Sequence, residues 1–313
     1  MSAQLQAVEP INDAIEVLRM PYPIAAEIRC GDIRKLSQSA RKQIKQAWLD
    51  NLVLLIRGQS LNPEELLQFT QTFGELDLAA PDSEMPAGQK PRFNPSVSVV
   101  SNVKEDGVPI GSLGDGEVVW HTDHSYHEVP ISASVLIAVE IPSLGGRTGF
   151  INMYRAYETL PTDVKARILN LRIKNDVTYN SAGQIRRGLT AIADPTKSPG
   201  VFHPAVRTHP ETGHNALYLG RRRQAWIEGL SLAESEQLLD YLWNHLKSQP
   251  AWYNEWKVGD VVAWDNRCVM HRREPFPSTE RRMLYRAQCK GTRPYLDVQA
   301  STAPHPRGAT FPS

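Results

Sequence analysis

Apolar positions along this chain recur in two periods, one of strands and one of helices. Strand-like runs occupy 22–30, 53–56 (Val53, Leu54, Leu55, Ile56), 97–101 and 132–140, the last nearly continuous in apolar residues. Helical spacing covers 38–50 and ends near Trp48 and Leu49. A second helix opens at Pro63 and carries Leu66, Leu67, Phe69 and Phe73 on one stripe. Ser231-Leu-Ala-Glu234 has the form of a capping box and starts a helix with Leu238, Leu239, Leu242 and Leu246 along one face. Short strands follow at 252–255, 261–264, 269–271 and 282–289, with Gly259-Asp260 as the turn between the first two. Strands outnumber helices, so the pattern predicts a mostly β fold, a sandwich or barrel with helices packed outside.

Two stretches lack either period. Residues 78–95 carry Pro81, Pro86, Pro91 and Pro95, and residues 181–200 carry Gly183, Gly188, Pro195, Pro199 and Gly200. Long irregular segments inside a compact domain often act as lids. Residues 1–20 read as an arm, loose or briefly helical, ahead of a single domain over 21–313. No Gly-rich phosphate loop follows a strand, which disfavours the nucleotide-binding α/β folds.

Composition narrows the class only a little. The chain has 313 residues, with 35 Lys+Arg against 34 Asp+Glu and a formal charge of +1, so no basic excess points to nucleic acid. No apolar run approaches the ~20 residues of a membrane helix, and Met1-Ser2-Ala3-Gln4 does not open a signal peptide. Neither nucleic acid nor a membrane is an expected partner. The three cysteines, Cys30, Cys268 and Cys289, are odd in number and widely spaced, which suits reduced thiols and a cytoplasmic location.

The chemistry concentrates in Trp120-His121-Thr122-Asp123-His124-Ser125-Tyr126-His127. Alternation along extended chain puts His121 and Asp123 on one side, where an imidazole nitrogen and a carboxylate oxygen can share a cation. A third ligand has to come from another histidine, and His271 stands near the end of a predicted strand. Two His and one carboxylate, with open positions left over, suit non-haem Fe(II). Eleven residues after His271 comes Arg282, then Arg286 four further on. Both guanidiniums face one side of a strand, where they could grip carboxylates.

These residues resemble the TauD/TfdA family of Fe(II)- and 2-oxoglutarate-dependent dioxygenases. The matching pieces are Trp120-His121-Thr122-Asp123, Gly145-Gly146-Arg147-Thr148, His203-Pro204-Ala205-Val206-Arg207-Thr208-His209-Pro210, Trp264-Asp265-Asn266-Arg267, and His271 with its downstream arginines. They stand in the family's order from about Ala25 to Pro294. The resemblance implies a double-stranded β-helix (jelly roll) with flanking helices. It implies Fe(II) held by His121, Asp123 and His271, with 2-oxoglutarate as cosubstrate meeting Arg282 and the Thr148 hydroxyl, and O₂ as oxidant. Arg286 matches the position from which relatives hold the anionic group of the primary substrate. The implied reaction hydroxylates a C–H bond of a small anionic organic substrate, releasing succinate and CO₂, and members often form homo-oligomers.

Ser101, Asn102 and Tyr126 are further candidates for the substrate-pocket wall. Two other classes stay open from the residues: a zinc-dependent hydrolase using the same His/Asp/His set, and a non-catalytic jelly-roll sensor. His124 and His127 divide between the site mouth and plain surface. Arg272 and Arg273 read as surface arginines. Arg221-Arg222-Arg223 reads as a solvated charge run, and His203, Arg207 and His209 as structural residues beside a hairpin turn.

Overall fold

The computed structural model describes residues 14–78, 92–299 and 305–307. Residues 1–13 of the arm and 79–91 of the first irregular segment lie outside the described residues.

An eight-stranded sheet runs in the order Glu16–Arg19, Ala26–Arg29, Val53–Ile56, Val261–Asp265, Ala133–Glu140, Met283–Cys289, Val97–Ser101, Ser112–Leu113. A four-stranded sheet, ordered Trp252–Asn254, Thr148–Asn152, Val269–Arg273, Val118–His121, packs against it. Trp264 of the large sheet meets Phe150 of the small one, ring centroids 5.6 Å apart. Together they make a double-stranded β-helix with helices outside, as the strand-rich pattern predicts.

The continuous apolar runs now have a cause. Val53, Leu55, Leu136, Ala138, Val262 and Trp264 point into the core shared by the two sheets. Their alternates Leu54, Ile56, Val135, Ile137, Val261 and Ala263 point the other way, against the helices Gln38–Asn51 and Pro63–Thr70. A sheet buried on both faces has no polar alternation to show. The helices begin where their caps dictate. The Ser37 hydroxyl accepts from the Ala40 amide, and capping boxes Asn62/Glu65 and Ser231/Glu234 open the second helix and Leu232–Lys247.

Several expectations need correction. Residues 16–19 form a strand, because the Ala26–Arg29 strand offers an edge to pair with in the register Glu16↔Arg29. The Gly259-Asp260 turn stands where expected, although it carries the chain from the small sheet to the large one. Arg221 and Arg273 are buried, whereas both read as solvated from the sequence. The 181–200 segment leaves the Arg172–Asp176 strand and returns as its antiparallel neighbour Gly200–Pro204. It is also anchored: the Lys174 ammonium donates to the Ser198 carbonyl at 2.8 Å.

The hairpin around 208–213 is as expected, with Val206–Thr208 paired to Asn215–Leu217. His209 beside it donates to Asp265 at 2.9 Å, and Arg267 clasps both oxygens of the same carboxylate at 2.8 and 2.7 Å. A carboxylate held in that way is a structural anchor, not a metal ligand. The three cysteines are free and buried. Among the described residues, no helix is long and apolar enough to cross a membrane.

Candidate active site

His121 ends the Val118–His121 strand, and His271 lies directly opposite it on Val269–Arg273, so cross-strand register brings the two imidazoles together. Their ring centroids are 4.2 Å apart. Asp123 sits two residues past the strand. One of its oxygens lies 3.3 Å from His121 Nε2 and the other 3.9 Å from His271 Nε2. The three ligand atoms fall within 4.8 Å of one another, and all three residues are buried.

The turn that carries Asp123 is held from several sides. Asn266 accepts from the Asp123 amide and donates to its carbonyl, each at 2.9 Å. The Thr122 amide donates to the Gly220 carbonyl at 3.0 Å. Gly220 has φ +64°, and a Cβ there would run into the Asn175 side chain, so only glycine permits this approach. His124 completes the turn with φ +53°, an uncommon conformation for a residue with a side chain.

Hydrogen bonding sets the donor atoms. His121 Nδ1 donates to the Val119 carbonyl at 2.8 Å, which leaves the Nε2 lone pair facing Asp123. His271 is wedged between rings, 4.7 Å from Trp264 and 6.3 Å from Phe150. Burial and then the neighbouring His121 pull its pKa down to about 3, so it stands neutral, the form that ligates a metal. Burial alone would raise the Asp123 pKa, but the two imidazoles and Arg286 outweigh it and hold the carboxyl well below its usual range. Ser134 donates to the same carboxylate at 3.2 Å.

Thr148 and Phe150 share the inward face of their strand with His271 and Arg273 of the next. Arg282 enters this region from the start of the last long strand. Gly146, two residues before Thr148, packs so closely on it that an added Cβ would lie 3.4 Å from its Nε. Arg282 is 2% exposed, its Nε has no hydrogen-bond partner, and no carboxylate among the described residues pairs with it. Burial, with Arg273 nearby, brings its pKa down to about 9. A buried cation unmatched by a protein anion is suited to receive one from a ligand. The Thr148 hydroxyl accepts from Trp256 Nε1 at 2.9 Å, leaving its own proton to give. These residues fit a metal-chelating acid with a second carboxylate, which is the shape of 2-oxoglutarate.

Arg286 reaches Asp123 at 3.7 Å and donates to the Ser98 hydroxyl at 3.1 Å. Tyr126 is buried, and its hydroxyl accepts from Arg186 at 3.0 Å. Ser101 and Asn102 behave differently from a pocket wall. The Ser101 hydroxyl donates to the Arg282 carbonyl at 2.8 Å, and the Asn102 side-chain carbonyl accepts from the Arg282 amide at 2.9 Å. They brace the arginine. His124 is buried next to Tyr126, and His127 is half-buried.

Sequence reasoning gave no role to Asn266, Ser134, Trp256 or Arg186, and it placed Arg273 at the surface. Asn266 lies within the Trp264-Asp265-Asn266-Arg267 motif, so its signal was present. Trp256 and Arg186 had none, because their partners lie far away in the chain.

Relatives bear on the same chemistry. The (S)-phenoxypropionate/alpha-ketoglutarate-dioxygenase of Sphingobium herbicidovorans is 31% identical over 289 residues, covering 90% of this chain and 96% of that protein. The alpha-ketoglutarate-dependent 2,4-dichlorophenoxyacetate dioxygenase of Burkholderia sp. is 33% identical over 271 residues, covering 82% of this chain and 88% of that one. The crystal structure of AAD-2 in complex with Mn(II) and N-oxalylglycine superposes with a TM-score of 0.72 at 28% identity, over 90% of this chain and all of that one. The family described as taurine catabolism dioxygenase TauD, TfdA matches residues 16–288. That span takes in both sheets almost end to end together with the His121, Asp123 and His271 cluster, and the chain belongs to the TauD/TfdA family.

Proposed function

We propose that this chain is an Fe(II)- and 2-oxoglutarate-dependent dioxygenase that hydroxylates a C–H bond of a small anionic organic substrate. The observation that carries the reading is the conjunction of the buried His121, Asp123 and His271 cluster with a buried Arg282 that no carboxylate among the described residues pairs with. Bound here, Fe(II) with 2-oxoglutarate and O₂ supplies the oxidising power for C–H hydroxylation, with release of succinate and CO₂.

His121 and His271 act as neutral nitrogen ligands and Asp123 as the anionic one. Arg282 and the Thr148 hydroxyl receive the distal carboxylate of the cosubstrate, with Ser101 and Asn102 fixing the backbone from which Arg282 projects. Phe150 and Trp264 keep water from the His271 side. Arg286 and Tyr126 face the primary substrate. Two relatives named for aryloxy acids support an anionic substrate. A zinc hydrolase or a sensor would leave Arg282 and Thr148 without a task. We read the protein as cytoplasmic and as a homo-oligomer.

The test is succinate release from purified protein supplied with Fe(II), 2-oxoglutarate and O₂, alone and with a panel of aryloxy and sulfonic acids. Turnover should need all three components and disappear in His271→Ala, together with bound metal measured by mass spectrometry. Metal-loaded protein that neither binds nor consumes 2-oxoglutarate would overturn the reading.

A further inference from the structure

The small sheet has a second face. Along its strands His121, Phe150 and His271 point toward the metal cluster, so their neighbours Trp120, Ile151 and Arg272 point the other way. Tyr253 joins them from the Trp252–Asn254 strand, opposite Gly149. The Trp120 and Tyr253 rings meet edge to face, with centroids 6.4 Å apart. These side chains floor a cavity of about 780 Å³ behind the metal cluster. Trp243 and Lys247 of the Leu232–Lys247 helix line it too, as do residues of the stretches 180–183 and 221–223. A cavity of roughly 300–1,000 Å³ is the size that takes a small molecule.

The lining carries five cations, and they are not equivalent. Arg222 is matched by Glu236 and Asp240, and Arg272 by Glu117 at 2.8 Å. Among the described residues that line the cavity, Glu117 is the one acid. Arg221, Arg223 and Lys247 are left with no carboxylate partner among the described residues. Arg221 is 6% exposed; it donates to the Tyr179 carbonyl, and its Nε has no hydrogen-bond partner. Arg223 is exposed but held in place, 3.5 Å from the centroid of the Tyr179 ring and donating to the Gly183 carbonyl at 3.2 Å. Lys247 is exposed at the end of its helix.

The two halves of this lining ask for different things of one occupant. Trp120, Tyr253 and Ile151 offer a flat apolar floor, on which a planar ring gains burial and ring contacts. The three unmatched cations ask for an anionic group, and an apolar surround strengthens that attraction. An aliphatic anion would leave the floor wet, and a neutral ring would leave the charges unanswered.

We infer that this cavity is a binding site for a small aromatic acid, a carboxylate or sulfonate whose ring lies on Trp120 and Tyr253 and whose charge is met by Arg221, Arg223 and Lys247. The site lies on the opposite face of the small sheet from the metal cluster, so it is distinct from the primary-substrate pocket and stands independently of the dioxygenase reading.

Naphthalene-2-sulfonate is the probe, titrated calorimetrically into the full chain in the presence of Mn(II) and 2-oxoglutarate under argon. Naphthalene-2-methanol, a ring without charge, and methanesulfonate, a charge without a ring, are the comparisons. The probe should bind about tenfold or more tighter than either. Lys247→Glu and Arg223→Glu, both at exposed positions, should each weaken it about tenfold, and Lys247→Arg should bind as wild type does. Arg286→Gln should leave the affinity unchanged, since Arg286 stands on the metal side. Wild-type protein that does not bind the probe overturns the site, as does binding that both charge reversals leave intact or that disappears in Arg286→Gln. Sedimentation of an oligomer that either charge reversal dissociates also overturns it, because another copy of the chain would then cover the cavity.

Discussion

Replacing Arg282 by Met separates the needs of the cosubstrate from the needs of the fold. The guanidinium is almost fully buried, no carboxylate among the described residues pairs with it, and burial brings its pKa well below the ordinary arginine value, to about 9. At about 1.36 kcal/mol per pKa unit, keeping that charge inside the protein without a bound carboxylate costs on the order of 5 kcal/mol. Met fills a similar volume and carries no charge, so Arg282→Met should leave the melting temperature of the ligand-free protein unchanged or raise it. Binding should move the other way. Truncating one partner of a buried charge pair costs about 2–5 kcal/mol, so 2-oxoglutarate affinity should drop roughly 30- to 4000-fold. Calorimetric titration of Mn(II)-loaded protein with 2-oxoglutarate gives the affinity, and scanning calorimetry of the free protein gives the stability. A variant that melts well below wild type yet binds 2-oxoglutarate normally would falsify the argument, because Arg282 would then be a structural arginine.

Two further outcomes follow from groups outside the metal cluster. Trp256→Phe removes the N–H that orients the Thr148 hydroxyl; losing about 1 kcal/mol of positioning should raise the KM for 2-oxoglutarate about fivefold with kcat nearly unchanged, and an equal fall in kcat would contradict a positioning role. His203 and His305 are buried with pKa values pulled down to about 4, chiefly by desolvation. The unfolded chain binds protons at these rings near pH 6.5 and the folded chain does not, so their stability contribution is complete above pH 6.5 and is lost as pH falls toward 4. Each should lose about 3 kcal/mol across that window. Urea midpoints at pH 7.5 and 4.5 test this: the drop should shrink in His305→Gln, and midpoints independent of pH would refute it.

Much of the local structure was legible because its causes are local. The caps at Ser37, Asn62 and Ser231, the apolar periods of the strands, and the His121–Asp123 spacing all act within a few residues. They determined the mostly β architecture, the outer helices and two of the three residues of the metal cluster. The residues that matched the family carried the remainder of the site, including His271, Thr148 and Arg282. Alternation gives the side of a strand on which a residue stands. It does not give the sheet that the strand joins or the strand beside it.

The tertiary structure decided whatever depends on non-local pairing. His271 meets His121 only through antiparallel register between strands some 150 residues apart in the chain. Residues 16–19 became a strand because the nearby Ala26–Arg29 edge is itself held in the large sheet by Val53–Ile56. Ser101 and Asn102 turned from pocket wall to brace when the 97–101 strand paired with 283–289 and brought them to the Arg282 backbone. Arg221 looks the same as Arg222 and Arg223 in sequence. Its neighbour Gly220 is held by the Thr122 amide, and only the assembled fold buries Arg221. A charge is identified by its sequence, but its desolvation and its partners belong to the assembled fold.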